Sequence, residues 1–267
     1  MKTVFLQAFL TLYVTSPGTP LDWSAPGPLF SSVMKNMLSF EENPLGLTVT
    51  AIDCPEFKEK ISVVPKDFGL LGELLIEGRG LGLLYQTFKG QEIDATQELR
   101  ENLKLPRTRL VRYKLNVFQC ARIREFLKEF REKKIPSRFG LPHRPLHAEG
   151  ATGTSLGVAL LDVAGVLGQT ERYAWDHGLY LPDKLSGMPL KEQYVGFFSL
   201  MGSSWGKGDE KSSILHFWDP QKIAHWVDET VKADPQRLIK EGEAVGVEID
   251  RSHLPAPAGT WWEQANP

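Results

Sequence analysis

The sequence predicts an α+β protein in which helices pack on a mainly antiparallel sheet. An alternating aliphatic pattern near the N-terminus predicts a strand, and an apolar stripe over residues 156–167 predicts a buried helix. Strand and helix patterns are interspersed elsewhere without a regular βαβ rhythm. With 267 residues, 42% hydrophobic and 24% charged, we expect a single domain over residues 1–267, with a core over about residues 40–200 and an extension at each end.

Residues 3–14 alternate, with aliphatic side chains at every even-numbered position. A period of two predicts a strand with the even-numbered side chains inward. One basic residue precedes this stretch and no small-x-small cleavage pattern follows it, which favours a strand over a signal peptide. The location stays open between the cytoplasm and export after removal of a signal that precedes this numbering. We expect no membrane-spanning segment.

The next segments read as a loop over 17–28 and a short helix around residues 29–37. Residues 68–76 are ambiguous, and residues 96–103 predict a short charged helix. Strands are predicted over four further ranges, which are 45–52, 61–64, 81–88 and 109–115.

The clearest helix begins at Asn116, because Gln119 three residues later completes a capping-box pattern. Pro136 marks its end. Its buried stripe is predicted to comprise Cys120, Ile123, Leu127 and Phe130.

After the central stretch, residues 171–189 are predicted to form a loop that carries several aromatic side chains. A turn is predicted over 201–209, and Asp219 and Pro220 read as the N-cap and first residue of a helix. A further short helix begins at Pro235. Strands are predicted over 194–200, 214–218 and 245–249.

The chain has two cysteines, Cys54 and Cys120. They can pair in an oxidising compartment, but two cysteines do not make a disulfide scaffold, and Cys120 reads as a small core residue instead of a nucleophile. His143 and His147 lie four apart, but Pro142 and Pro145 exclude the helix that would align them. We therefore expect no metal and no cofactor, and a net charge of −2 gives no case for nucleic acid.

The chain is organised around residues 147–167, where a small, polar turn over 150–155 leads into the apolar stripe. Thr152, Thr154 and Ser155 are each candidates for the N-cap. Buried helix N-termini are positions where proteins place nucleophiles and bind anions. The simpler interpretation is a glycine-bearing turn before a core helix.

Three segments in this order, 43–52, 113–120 and 150–165, resemble the circularly permuted NlpC/P60 branch of the papain-like hydrolases. In that branch a strand with the catalytic histidine comes first, and the nucleophilic cysteine follows at the N-terminus of a buried helix. The resemblance implies a papain-like fold.

The resemblance also implies that the catalytic pair is missing. Asn43 and Leu47 occupy the histidine position, and Ala151 and Gly153 occupy the cysteine position. None of these side chains can act as a thiolate or an imidazole base. The implied function is non-catalytic binding of a peptide, a cell-wall fragment, a lipid-like ligand or a protein partner in the former cleft. On this alignment, cysteine at 151 or 153 with histidine at 47 would restore a thiol–imidazole pair.

A first alternative is an active amide or ester hydrolase. Thr154 or Ser155 is then the nucleophile, His147 the base and Glu149 the orienting carboxylate, as in other triads. A second alternative is an unrelated structural or interaction protein.

The sequence also suggests two hypotheses about where a ligand binds. Gly150 and Gly153, with Arg138 and Arg144 nearby, are candidates for an anion site at the helix N-terminus. Aromatic and histidine side chains downstream are candidates for the rim of a cleft. They are Trp175, His177, Tyr180, Trp205, His216 and Trp218.

Overall fold

The structure is a computed structural model that describes residues 7–39, 45–66, 77–208 and 211–262. Its described strands form an eight-stranded sheet in the order β6-β4-β3-β2-β1-β5-β10-β9 and a two-stranded sheet of β7 and β8. The strands are β1 (Ala8–Thr15), β2 (Leu47–Asp53), β3 (Lys58–Pro65), β4 (Phe88–Asp94), β5 (Thr108–Leu115), β6 (Arg138–Phe139), β7 (Asp176–Pro182), β8 (Ser212–Trp218), β9 (Leu238–Glu241) and β10 (Ala244–Asp250). All neighbouring pairs are antiparallel except β5 and β10, which confirms the α+β class with a mainly antiparallel sheet.

Strand β1 lies in the middle of the large sheet, between β2 and β5. Its even-numbered side chains, including Leu10, Leu12 and Val14, belong to the main core, so the predicted strand and its inward face are confirmed over residues 8–14. Residues 3–6 lie outside the described residues. Tyr13 is buried on the opposite face, so helices or loops cover both faces of the sheet at this point.

Six helices accompany the strands in the described part of the chain. They are α1 (Pro26–Leu38), α2 (Thr96–Asn102), α3 (Val117–Glu132), α4 (Gly153–Ala164), α5 (Gln169–Trp175) and α6 (Pro220–Ala233). Helices α3, α4 and α6 contribute to the core on one face of the sheet, and α2 packs on the other. Of the helices within the described ranges, none has the length and apolarity needed to cross a membrane.

Helix α3 begins as the sequence predicts. The Asn116 side chain accepts hydrogen bonds from the backbone N–H groups of Phe118 and Gln119, each at 3.0 Å. The Gln119 side chain accepts from the Asn116 backbone N–H at 2.8 Å, which completes the capping box. The predicted stripe from Cys120 to Phe130 is buried.

The two cysteines, Cys54 and Cys120, form a disulfide that links the end of β2 to the first turn of α3. Both are buried in the main core, which confirms Cys120 as a core residue, and the pairing that the sequence leaves open is present. Neither of the two cysteines has a free thiol.

A second hydrophobic cluster lies beside the large sheet. Side chains of α1, of β7 and β8, and of a short 3-10 helix over Leu81–Tyr85 form it. The two-stranded sheet and α1 thus share one core, separate from the core between α3, α4 and the large sheet.

The predicted strand over 81–88 is wrong, because this segment is the 3-10 helix and β4 begins only at Phe88. Gly80 has a φ of 50°, a backbone conformation that favours glycine. A side chain at Gly82 would collide with the Gly187 carbonyl oxygen. Two glycines therefore let this segment coil closely against neighbouring backbone instead of extending.

Two predictions in the second half of the chain are also wrong. Residues 171–189 are not one loop, since α5 ends at Trp175 and β7 follows directly. Residues 194–200 form no regular strand, since Val195 makes a single bridge to Arg79 and Phe197–Ser199 form a 3-10 turn. Tyr194 and Phe198 are exposed, so an extended strand here would bury little apolar surface.

The remaining predicted elements agree with the structure to within a few residues at their ends. These are the helices at 29–37, 96–103 and 220 onward, the short helical turn at Pro235, and the strands at 45–52, 61–64, 109–115, 214–218 and 245–249. The ambiguous residues 68–76 lie outside the described residues.

Candidate functional site

The turn before α4 ends in a capping box. Thr152 is the N-cap, and its hydroxyl accepts a hydrogen bond from the Ser155 backbone N–H at 3.1 Å. The Ser155 hydroxyl accepts in return from the Thr152 backbone N–H at 2.8 Å. Of the three candidates for the cap, Thr152 therefore has this role, and Ser155 is its partner. The helix ends at Ala164 with Gly165 at a φ of 71°, so the predicted stripe residue Leu167 lies beyond it.

Helix α4 packs directly on strands β2 and β3. A Cβ at Gly153 would lie 2.5 Å from the Thr48 carbonyl oxygen and 2.6 Å from the Ser62 hydroxyl oxygen. One turn later, a Cβ at Gly157 would lie 2.8 Å from the Thr50 hydroxyl oxygen. The absence of side chains at both glycines allows this close approach. The predicted burial of this helix is confirmed, and the structure places it against the strand predicted over 45–52.

The residues predicted at the degenerate catalytic positions lie as follows. Gly153 faces Thr48, while Leu47 belongs to the apolar cluster on the opposite face of the sheet. Ala151 is fully buried in the main core. Asn43 lies outside the described residues. Histidine at 47 would therefore point away from α4, and cysteine at 153 would collide with backbone, so this geometry disfavours the restored pair that the sequence suggests.

A cavity of about 550 Å³ opens where the N-terminus of α4 meets β2, β3, α1 and the 3-10 helix. Its volume falls in the range of about 300–1,000 Å³ typical of small-molecule sites. Most of the described lining is apolar. The apolar side chains are Leu21, Trp23, Leu29, Phe30, Val33, Leu45, Leu47, Val63, Val64, Pro65, Leu83, Leu84, Phe88, Ile93, Phe139, Leu141, Phe217, Trp218 and Pro220.

A few polar groups interrupt this lining. The Thr154 hydroxyl lies 2.8 Å from the Thr48 hydroxyl, and the Ser62 hydroxyl donates to the Thr48 carbonyl oxygen at 2.7 Å. Two carboxyl groups, of Glu98 and Asp219, also border the cavity. The Thr154 hydroxyl of α4 and the Ser62 hydroxyl of β3 are thus both bonded to Thr48 on β2, and most of the remaining wall is apolar.

Asp219 is held by two partners. It caps α6 by accepting from the Gln221 backbone N–H at 2.8 Å, and its other oxygen lies 2.7 Å from His177 Nδ1. The His177 ring stacks on Phe217 and meets the edge of Trp23. His177, predicted as a cleft residue, therefore lies next to the cavity wall as the partner of a buried carboxylate.

The proposed nucleophiles of the hydrolase alternative are enclosed. Thr154 and Ser155 are both buried, and their hydroxyls bond to Thr48 and Thr152 as described above. The Glu149 carboxylate forms a bidentate ion pair with Arg144, with nitrogen–oxygen distances of 2.6 and 3.1 Å. Burial raises the pKa of Glu149, but the hydrogen bonds from Arg144 outweigh it and hold this pKa below its usual value. His147 lies in the 3-10 turn Pro145–His147 that precedes these residues.

The groups proposed for an anion site bond to one another. Arg138 donates to the Ala148 carbonyl oxygen and Arg144 to Glu149. Gly150 has a φ of 147°, and a Cβ there would lie 2.5 Å from the Arg138 carbonyl oxygen. Both guanidinium groups are therefore engaged in holding the loop before α4. Within the described ranges, no group of three or more His, Cys, Asp or Glu could hold a metal ion.

His143 packs between Gly140 and Gly150 in this loop, and its Nε2 lies 3.0 Å from the Thr87 hydroxyl. Burial lowers the pKa of His143, and Arg138 adds to this effect, while Glu149 opposes it.

A lowered folded-state pKa means that the unfolded chain binds the proton first as pH falls through about 6.5. We therefore expect His143 to lower the free energy of unfolding as the pH falls from 7.5 to 5.5. Urea unfolding of wild type and His143→Gln at both pH values measures this effect. An equal pH dependence in the two proteins would contradict it.

The remaining predicted cleft residues are dispersed. Trp175 is fully buried in the main core, edge-on to Trp226, and does not line the cavity. Trp205 donates its indole N–H to the Trp23 carbonyl oxygen at 2.7 Å. Tyr180 is exposed, and His216 pairs with Asp176 at 3.0 Å on the exposed side of β8. Of the six predicted residues, Trp218 is the one that lines the cavity.

Most residues of the cavity wall could not be identified from the sequence. Leu29, Leu83 and Glu98 come from α1, the 3-10 helix and α2, and each has an ordinary local pattern in the sequence.

Comparison with family models, with curated proteins and with solved structures finds no match to this chain.

Proposed function

We propose that this chain is a non-catalytic binding protein of papain-like architecture that takes a lipid-like ligand with an apolar body into the cavity at the start of α4. The observation that carries this proposal is the cavity itself, with a volume of about 550 Å³ and a mostly apolar described lining. Burial of apolar ligand surface there would supply the binding free energy. Among the ligands that the resemblance implies, a lipid-like molecule suits this lining better than a peptide or a sugar.

The state of the nucleophile candidates supports a non-catalytic role. Cysteine-dependent hydrolysis requires a thiolate. Cys54 and Cys120 form a disulfide with each other, so neither can supply one. Gly153, at the position of the family's cysteine, has no side chain. The Ser155 hydroxyl is buried and committed to the cap of α4.

The arrangement of elements supports the papain-like relationship as part of the proposal. Strand β2 precedes α3, α3 precedes α4, and the N-terminus of α4 meets β2 at Thr48. The order of these elements is the one that the resemblance implies, although α4 meets β2 at Thr48 and not at the histidine position Leu47.

Calorimetric titration with 1-alkanols of increasing length tests the proposal. Each buried methylene contributes about 0.8 kcal/mol, so we expect affinity to rise about fourfold per carbon until the cavity is full. The same protein should show no turnover of amide or ester substrates. Absence of alkanol binding would contradict the proposed function. Turnover that is lost in Ser155→Ala would contradict it in favour of the serine hydrolase.

A further inference from the structure

We propose that the ligand of this cavity carries a cationic, hydrogen-bond-donating group, of the alkylammonium class, which lies next to the carboxyl group of Glu98. This inference rests on the proposed function and adds the chemistry of the ligand's polar end. It follows from the carboxyl groups on the cavity wall and from the partners that the protein provides for them.

The Glu98 carboxyl borders the cavity from α2, on the side where Ile93 and Val64 also line it. Its Oε2 atom is buried, and in the described part of the chain it has no hydrogen-bond partner. Glu101 on the same helix is exposed and pairs with Lys104 at 2.6 Å. A buried carboxyl oxygen without a donor is costly, so a donor on the ligand would compensate this oxygen.

The second carboxyl on the wall does not compete for this group. Asp219 already receives hydrogen bonds from His177 and from the Gln221 backbone N–H. It lies with Trp23 and Phe217 on the α1 side of the cavity. Glu98 is therefore the carboxyl that the protein leaves for a ligand.

The charge of the wall discriminates between ligand classes. Among the described residues that line the cavity there is no lysine, arginine or histidine. A carboxylate or phosphate head would lose hydration without gaining a cation from the described part of the wall, and it would meet Glu98 as a like charge. An ammonium head would gain a charge-assisted hydrogen bond while its alkyl chain contacts the apolar wall. The cavity thus favours a cationic amphiphile over a fatty acid.

Titration with three ligands of equal chain length tests this inference. These are decylamine, 1-decanol and decanoate, each used below its micelle concentration at pH 7. We expect decylamine to bind about tenfold or more tightly than 1-decanol, and decanoate to bind most weakly, since hydrogen bonds to charged groups exceed neutral ones.

Two variants on α2 assign the preference to one side chain. Glu98→Gln should reduce the ratio of decylamine to 1-decanol affinity to near one, while the matched control Glu101→Gln should leave it unchanged. If decanoate binds as tightly as decylamine, or if Glu98→Gln keeps the ratio, this inference is overturned and the proposed function stands. If none of the three ligands binds, the proposed function itself is overturned.

Discussion

Replacement of Cys54 and Cys120 together by alanine is expected to lower the free energy of unfolding by about 4 kcal/mol. The disulfide joins residues separated by 66 positions, so it removes much of the chain entropy of the unfolded state. Both sulfurs are also buried in the main core, and their removal loses packing there. Urea unfolding of wild type and the double variant, both under oxidising conditions, measures the difference.

Wild type that is unfolded and refolded in reductant provides the control, because it keeps both side chains and lacks only the bond. We expect it to lose most of the same stability. A loss below about 1 kcal/mol in both proteins would show that the bond does not constrain the chain as the entropy argument requires.

The disulfide also bears on where the protein is found. Structural disulfides persist mainly in oxidising compartments. The pairing of Cys54 with Cys120 is of the kind that oxidising compartments maintain.

Truncation of Trp175 is the second change with a large expected effect. Trp175 is fully buried at the end of α5 and packs edge-on against Trp226. Trp175→Ala should therefore lower the free energy of unfolding by about 4 kcal/mol, since it leaves a large void in the core. Because the side chain does not line the cavity, the affinity of the folded variant for 1-decanol should stay within about twofold of wild type.

Tyr173→Ala is the matched control, because Tyr173 lies on the same helix and is 82% exposed. Urea unfolding should give a change below about 0.5 kcal/mol for it. A stable Trp175→Ala variant that no longer binds 1-decanol would contradict this account and support the ligand-binding role that the sequence suggests for Trp175.

The elements that sequence reasoning predicts correctly are those whose signal is local. The alternation in β1, the capping box of Asn116 and Gln119, and the Asp219–Pro220 start of α6 each lie within a few consecutive residues. Such patterns act through neighbours in sequence, so they survive in any tertiary context that buries the apolar face.

The errors occur where contacts distant in sequence decide the conformation. Residues 81–85 have a strand-like composition, but Gly80 and Gly82 let them coil against backbone near Gly187, about a hundred positions later. The local sequence of β7 does not identify it as a strand, because its hydrogen-bonding partner β8 comes from a later part of the chain. Propensity is a weak guide when the partner comes from elsewhere in the chain.

The candidate site is predictable only in part, for the same reason. The sequence identifies the turn and helix at Gly153, and the structure places that helix on β2. The cavity is built from segments spread over about two hundred residues, so Glu98 and Leu83 give no sign of their role in the sequence. The single domain and the papain-like relationship stay predictions.

The most direct test of the central claim is whether filling this cavity blocks ligand binding. Leu84→Trp adds bulk to a half-buried side chain on the cavity wall, whereas Leu238→Trp makes the same change on β9 and outside the described lining. Calorimetric titration with 1-decanol should show at least a tenfold loss of affinity in Leu84→Trp and a change within twofold in Leu238→Trp. Equal affinity of wild type and a folded Leu84→Trp would contradict the claim that the ligand occupies this cavity.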